Sequence, residues 1–315
     1  MTEPLRYATG RDLFAAVKAK SVAKARQHSQ QTQQVLRQFV FDRLLARLFL
    51  ESNAPWVLKG GNALMSREPV AARASLDLDL AARHEYEHLD DLARRFEAAA
   101  ALDLGDHFRF VVTSRREHQG ESQPRVTGLQ ITLSAYCGTK NVETVKIDLV
   151  TGTLITGTPE PVARTSLAID GLNPVVVTAY PIADHIADKI CATAETHGNT
   201  ARPSSRVRDL VDLVVIATTQ TVDAGDLIHA VRSEWSYRGL AGEPAFDPPV
   251  SWATGYGRLA PGTPGCAAHP TFMAAVHLVR NEFLEPVLTG HTAGGHWSPT
   301  QGQWQGAPTE ATRTD

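Results

Sequence analysis

Asp77 and Asp79 stand two residues apart in the string Arg73-Ala74-Ser75-Leu76-Asp77-Leu78-Asp79-Leu80. In a strand such a pair projects to one face, which puts Leu76, Leu78 and Leu80 on the other, toward a core. Two carboxylates side by side repel. A hard divalent cation such as Mg²⁺ removes that repulsion, and it also takes the oxygens of substrate phosphates. Upstream, the apolar run Trp56-Val57-Leu58 leads into Lys59-Gly60-Gly61-Asn62. Glycine has no Cβ to block a ligand, so the N–H groups of a Gly-Gly turn are open to phosphate. Each piece has an ordinary alternative, a solvated strand face and a simple turn. Their order (strand, Gly-Gly, short helix, acidic strand) is what favours chemistry.

Further candidates lie downstream. Asp148 alternates with Ile147 and Leu149 on an expected strand. There it can serve as a third carboxylate that helps activate an attacking hydroxyl, or as a surface residue. Lys189 borders the apolar face formed by Ile182, Ile186 and Ile190 at helical spacing. A lysine there either snorkels out or meets an anion, and a triphosphate is one such anion. In Arg206-Val207-Arg208-Asp209-Leu210-Val211-Asp212-Leu213, Asp209 also borders a packed face and needs a cation, with Lys189 one choice. His84 and His88 have the i, i+4 spacing of a zinc pair on a helix, without an evident third ligand.

The elements that must position these residues follow from periodicity. Residues 10–51 read as helical, with Leu36, Phe39, Val40, Leu44 and Leu48 at helical spacing, and Ser29 to Thr32 starts the second helix. A strand at Trp56, a short helix over Asn62–Ser66 and a loop to Arg73 precede the acidic strand. A helix is expected over His88–Ala101, then strands over Phe108–Ser114, Arg125–Ala135 and Thr144–Val150. From Pro181, which suits a helix start, the texture turns helical: Ile182–Glu195, Arg206–Thr219, Asp223–Ser233 and Pro270–Glu285. The tail beyond Gly295 is polar and expected to fray.

The chain has 315 residues, 43% hydrophobic and 21% charged, which suits a globular protein of one large or two ordinary domains. The expected division is 1–178 and 179–315. A net charge of −3 gives no general field for nucleic acid, so any such contact must be local. Three scattered cysteines without a C-x-x-C pattern read as a reducing compartment with no structural zinc. No signal-peptide core or membrane-length apolar run is present, and the expectation is a cytoplasmic chain with no membrane contact.

The Gly-Gly and Asp-x-Asp pieces resemble the nucleotidyltransferase superfamily. More narrowly, Lys-Gly-Gly, Arg-x-Ser-x-Asp-x-Asp, the lysine of the 182–195 helix and Arg-x-Arg-Asp-Leu-x-Asp-Leu resemble the AbiEii/MenT toxin nucleotidyltransferases, in family order from Lys59 to Leu213. Phe283 to Leu288 is similar to a family C-terminal segment. The resemblance implies an α/β (α+β) nucleotidyltransferase core with a mixed sheet, followed by a helical C-terminal domain. It implies Asp77 and Asp79 as Mg²⁺ ligands, and Lys59, Gly60, Gly61, Asn62, Ser75 and Lys189 around the NTP. Asp209 would orient Lys189 or touch the nucleotide, and Asp148 would complete the catalytic set. Two departures stand out: Asn62 where Ser or Thr is familiar, and Ala74 where Thr is common.

The implied reaction is attack of an RNA 3′ hydroxyl, the CCA end of tRNA, on the α-phosphate, which would block aminoacylation and halt translation. The implied partners are a tRNA acceptor and an AbiEi-like antitoxin, with the toxin itself a monomer. Arg202, Arg206 and Arg208 are the expected RNA contacts, with Arg115 and Arg116 extending them. Transfer to a small cationic drug, transfer to a protein, and nucleotide binding without catalysis remain open at this point.

Overall fold

The computed structural model describes residues 5–28, 30–86, 88–120, 123–195, 206–292 and 294–306. Two packed helices, α1 (Gly10–Gln27) and α2 (Thr32–Leu48), come first. Thr9 caps α1 by accepting from the Asp12 N–H. The chain then enters strand β1 (Trp56–Lys59), helix α3 (Gly60–Arg67) and strand β2 (Leu78–Ala82). Helix α4 (Leu89–Ala100) leads to three long strands: β3 (Phe108–Gly120), β4 (Gln123–Cys137) and β5 (Lys140–Thr151). Strands β6 (Glu160–Arg164) and β7 (Val175–Ala179) follow. Together they make a seven-stranded mixed sheet in the order β3-β4-β5-β2-β1-β7-β6.

The sheet is mixed because β2 joins β5, and β1 joins β7, in parallel, while the remaining neighbours are antiparallel. A parallel pair needs a long crossover, and the intervening α4, β3 and β4 provide one for β2 and β5. On one face Phe108, Phe110, Leu129, Ile131, Leu133, Ile147 and Leu149 form a core with α1, α2 and α4. Burying this alternating set leaves the residues between them on the opposite face.

The second part is helical. It contains α5 (Ile182–Ala194), α6 (Val207–Thr219), a two-residue strand β8 (Val222–Asp223), α7 (Ala224–Tyr237) and α8 (Ala253–Leu259). Its last helix begins as α9 (Phe272–Val276), widens to a π-helix over His277–Leu284 and closes as α10 (Glu285–Leu288). A single uninterrupted helix was the expectation here; the wider turn is a local insertion in the hydrogen-bond ladder. This half has its own core, built on α5, α6 and α7, and it takes in Leu64 and Ala72 from the first half.

Three expectations need correction. The chain beyond Gly295 does not fray within the described residues. Strands β9 (His296–Ser298) and β10 (Gln303–Gln305) extend β8 into a small sheet, Trp297 is fully buried, and its indole N–H donates to the Ala217 carbonyl at 2.7 Å. A buried indole that satisfies its donor is a strong anchor for an otherwise polar segment. Residues 309–315 lie outside the described residues. Leu76 is 47% exposed, because β2 begins only at Leu78. His84 lies in a bend and His88 precedes α4, so the pair never shares a helix. Cys137, Cys191 and Cys266 are free and buried, and no helix among the described residues is long and apolar enough to cross a membrane.

Candidate active site

The site is built at the centre of the sheet. Lys59 at the end of β1 pairs with Asp79 of β2, and Asp79 pairs with Asp148 of β5. Strand neighbours in register point the same way, so the two carboxylates stand side by side on the uncovered face. Asp77, just before β2, shares two clefts with Asp79. The Asn62 side chain fixes its backbone by donating to the Asp77 carbonyl at 2.7 Å. Asn62 is fully buried. Its amide is therefore spent on holding Asp77, and the residue that departs from the familiar Ser or Thr does not offer its side chain to phosphate.

Gly60 is required by two independent facts. Its φ is +60°, and a Cβ there would lie 1.9 Å from Asp79 Oδ2. The Asp79 carboxylate thus rests directly against the start of α3, where the first N–H groups have no intrahelical partner. A Cβ on Gly61 would press on Ser75 at 3.2 Å. Ser75 in turn is placed by Gln38 of α2, which donates to its carbonyl at 2.9 Å.

Burial and the neighbouring Asp148 push the Asp79 carboxyl up to about 6, against the pull of Lys59 and Lys189. Among the described residues neither Asp77 nor Asp79 has an ion-pair partner. This crowded negative charge, only partly offset by Lys59 and Lys189, fits a hard divalent cation. No group of three or more His, Cys, Asp or Glu side chains among the described residues forms a closed metal cage. That is compatible with Mg²⁺, which is held by one or two carboxylates plus substrate phosphates and water.

Facing the carboxylates across a cleft of about 640 Å³ are Lys189 of α5 and Arg206, Arg208 and Asp209 at the start of α6, with Arg73 and Arg258 also lining it. Lys189 Nζ donates to Asp209 at 2.9 Å and to Asp212 at 2.7 Å. Burial alone would lower its pKa, but the two carboxylates outweigh burial and hold it above the usual lysine range. An ammonium has three donors, so one remains for a ligand. Arg206 reaches Asp209 at 2.7 Å and Arg73 reaches Asp212 at 2.8 Å. These alternating charges tie the loop carrying Ser75 and Asp77 to the helical half.

Lys59 sits over the Tyr180 ring at 4.6 Å and lies 3.7 Å from Asp188. Burial would raise the Asp188 carboxyl, but Lys59 and Arg238 outweigh it and hold it well below the usual range.

Sequence reasoning missed several participants. Asp148 is bonded by His118 of β3, Nε2 to Oδ1, at 2.6 Å. The period-two signal was present in Arg116 and His118, but β3 runs six residues past the expected end at Ser114. The roles of Asp188 and Arg73 were missed because their partners are distant in sequence, and Arg258 lies in no motif although it lines the cleft. Arg115 does not extend the cluster: it turns to the other face and pairs with Asp90 at 2.7 Å. Arg202 lies outside the described residues. Arg206 and Arg208 line the same cleft as Lys189.

An acidic strand pair set in a mixed sheet against a Gly-Gly helix start, with a cationic helical wall opposite, defines a nucleotidyltransferase. Within that class the chain belongs to the nucleotidyl transferase AbiEii toxin family of Type IV TA systems, whose pattern matches residues 43–277. It is similar in fold to the solved structure of MenT4, a nucleotidyltransferase toxin from Mycobacterium tuberculosis H37Rv. The TM-score is 0.52, over 89% of this chain and 90% of that one, at 20% identity. The sequence matches no curated protein.

Proposed function

We propose that this chain transfers a nucleoside monophosphate from an NTP to the 3′ hydroxyl of an RNA, the CCA end of tRNA, and so halts aminoacylation and translation. The observation that carries the transfer chemistry is the in-register pair Asp79–Asp148 set against Gly60. The RNA acceptor rests on the family. Asp77 and Asp79 would hold Mg²⁺, which would supply charge neutralisation for the transferred phosphate. The N–H groups at the start of α3 and the cations of the opposite wall (Lys189, Arg206, Arg208) bind the triphosphate.

In the reaction the hydroxyl oxygen bonds to the α-phosphorus while the bond to the pyrophosphate oxygen breaks. Asp148, held by His118, takes the hydroxyl proton. Asp209 and Asp212 keep Lys189 charged and pointed into the cleft. Lys59 balances Asp79 from the next strand. The protein acts as a cytoplasmic monomer that a cognate antitoxin neutralises.

The test combines purified protein with radiolabelled NTPs, unfractionated tRNA and an aminoglycoside. Label should enter tRNA, and Asp77→Ala or Asp79→Ala should abolish it without loss of fold. Label in the aminoglycoside instead would reassign the acceptor. Activity within a few-fold of wild type in either Asp variant would remove the metal-site reading.

A further inference from the structure

The carboxylate pair belongs to two clefts. The first is the nucleotide cleft. The second, of about 500 Å³, leaves Asp77 and Asp79 in the opposite direction and runs over β5, β4 and β3. Its floor is set by register. Ser114, Thr132 and Lys146 form one cross-strand row, and Arg116, Gln130 and Asp148 form the next, which continues into Asp79. Their sequence neighbours Ile131, Ile147 and Leu149 are buried in the core on the other side, so alternation delivers all six side chains to the uncovered face.

Two of the six are cations, and both are exposed. Among the described residues neither Arg116 nor Lys146 forms an ion pair. By contrast Arg73, Arg115 and Arg206 are all engaged with carboxylates. Lys146 is one strand repeat, about 7 Å, from Asp148, and Arg116 is two strands, about 10 Å, from it. Ser114, Thr132 and Gln130 are neutral hydrogen-bonding groups, and the sixth residue is the Asp148 carboxylate itself. A groove with unengaged cations spaced along a polar floor, ending at the carboxylate that would take a hydroxyl proton, suits a polyanion entering by its end. It does not suit a polycationic drug, which the same two cations would repel.

We propose that this β3–β5 groove is the acceptor site, and that it holds the single-stranded 3′ segment of an RNA through phosphate contacts from Arg116 and Lys146. The assignment rests on the transfer reaction above. It places nucleotide and acceptor on opposite sides of Asp77 and Asp79, which in-line displacement requires.

The experiment is the double variant R116Q/K146Q, with both changes on exposed side chains and folding checked by melting. Steady-state transfer to unfractionated tRNA is measured at several salt concentrations, and NTP affinity is measured separately without RNA. The KM for tRNA should rise by roughly tenfold with NTP affinity unchanged. The slope of log affinity against log salt should flatten by about 1.4, the loss of two single-strand phosphate contacts. If the wild type labels tRNA and the double variant keeps its tRNA KM and salt slope, the groove assignment is overturned and the reaction stands. If the wild type labels no RNA at all, the reaction is overturned and the groove's role with it.

Discussion

Gly60 shows how one hydrogen in place of a methyl group shapes the site. An alanine there is strained by the positive φ and drives its Cβ into the Asp79 carboxylate. Gly60→Ala is expected to cut transfer by about 100-fold, the usual cost of displacing a reacting group by roughly an ångström. Single-turnover rates at saturating NTP would check it. Asp79 itself is a site where function opposes stability. Its folded pKa is about 6, raised from the ordinary 3.8 mainly by burial. The folded state therefore holds a proton more tightly than the unfolded chain, and ionised Asp79 costs stability above about pH 6. That cost is relieved as pH falls from 6 toward 3.8. In EDTA at pH 7.5, Asp79→Asn should melt at a higher temperature than wild type while transferring nothing, and the difference should vanish near pH 4. A variant that melts lower at pH 7.5 would contradict the only partly offset charge.

At the scale of elements, a buried strut behind α3 holds the phosphate-facing turn in place. Arg164 at the end of β6 pairs with Asp42 of α2 at 2.5 Å and donates to the Asn62 carbonyl and Ser66 hydroxyl of α3, each at 3.2 Å. It also donates to Gln38, which holds Ser75. Removing one member of a buried pair leaves the other charge unpaired, at a cost of about 3–5 kcal/mol, whereas replacing both costs far less. Arg164→Met should therefore lose about 3–5 kcal/mol in denaturant melts. Asp42→Leu with Arg164→Met should recover much of that stability. It should not recover full transfer, because α3 and the Ser75 loop keep no tether. Full activity in the double variant would reduce the strut to a packing role.

For the whole molecule, the junction between the two cores carries a pH liability. His185 of α5 is fully buried, and neither ring nitrogen has a hydrogen-bond partner among the described residues. Burial, helped by Lys189, lowers its pKa from 6.5 to about 3. The unfolded chain takes up this proton as pH falls below 6.5, and the folded chain does not until about 3. Stability should fall across that window, by up to about 1.4 kcal/mol per pH unit from this residue. Asp79 works in the opposite sense between 6 and 3.8, so the effect is cleanest in an Asp79→Asn background. His185→Phe should flatten the dependence of melting temperature on pH between 6.5 and 5. An unchanged slope would place the imidazole in contact with a proton acceptor.

The sequence by itself determined the chemistry-bearing residues and much of what presents them. Period-two alternation marked Asp77, Asp79 and Asp148, helical spacing marked Lys189 and Asp209, and Gly-Gly marked the turn, because these signals are local and set by backbone geometry. The tertiary structure decided which of them meet. Asp79 and Asp148 become neighbours only because β2 and β5 pair in parallel across a long crossover. The sequence separation of 69 residues hides that register. Asn62 could be read as a phosphate ligand until its burial against Asp77 was seen. Arg115 and Arg116 are adjacent in sequence but lie on opposite faces, one held by α4 and the other open to the groove. His118, Asp188 and Arg164 act through partners far away in sequence, 30 residues for His118 and 122 for Arg164, so local spacing could not pair them. Such partners are fixed by packing and strand order, which no window of neighbouring residues contains.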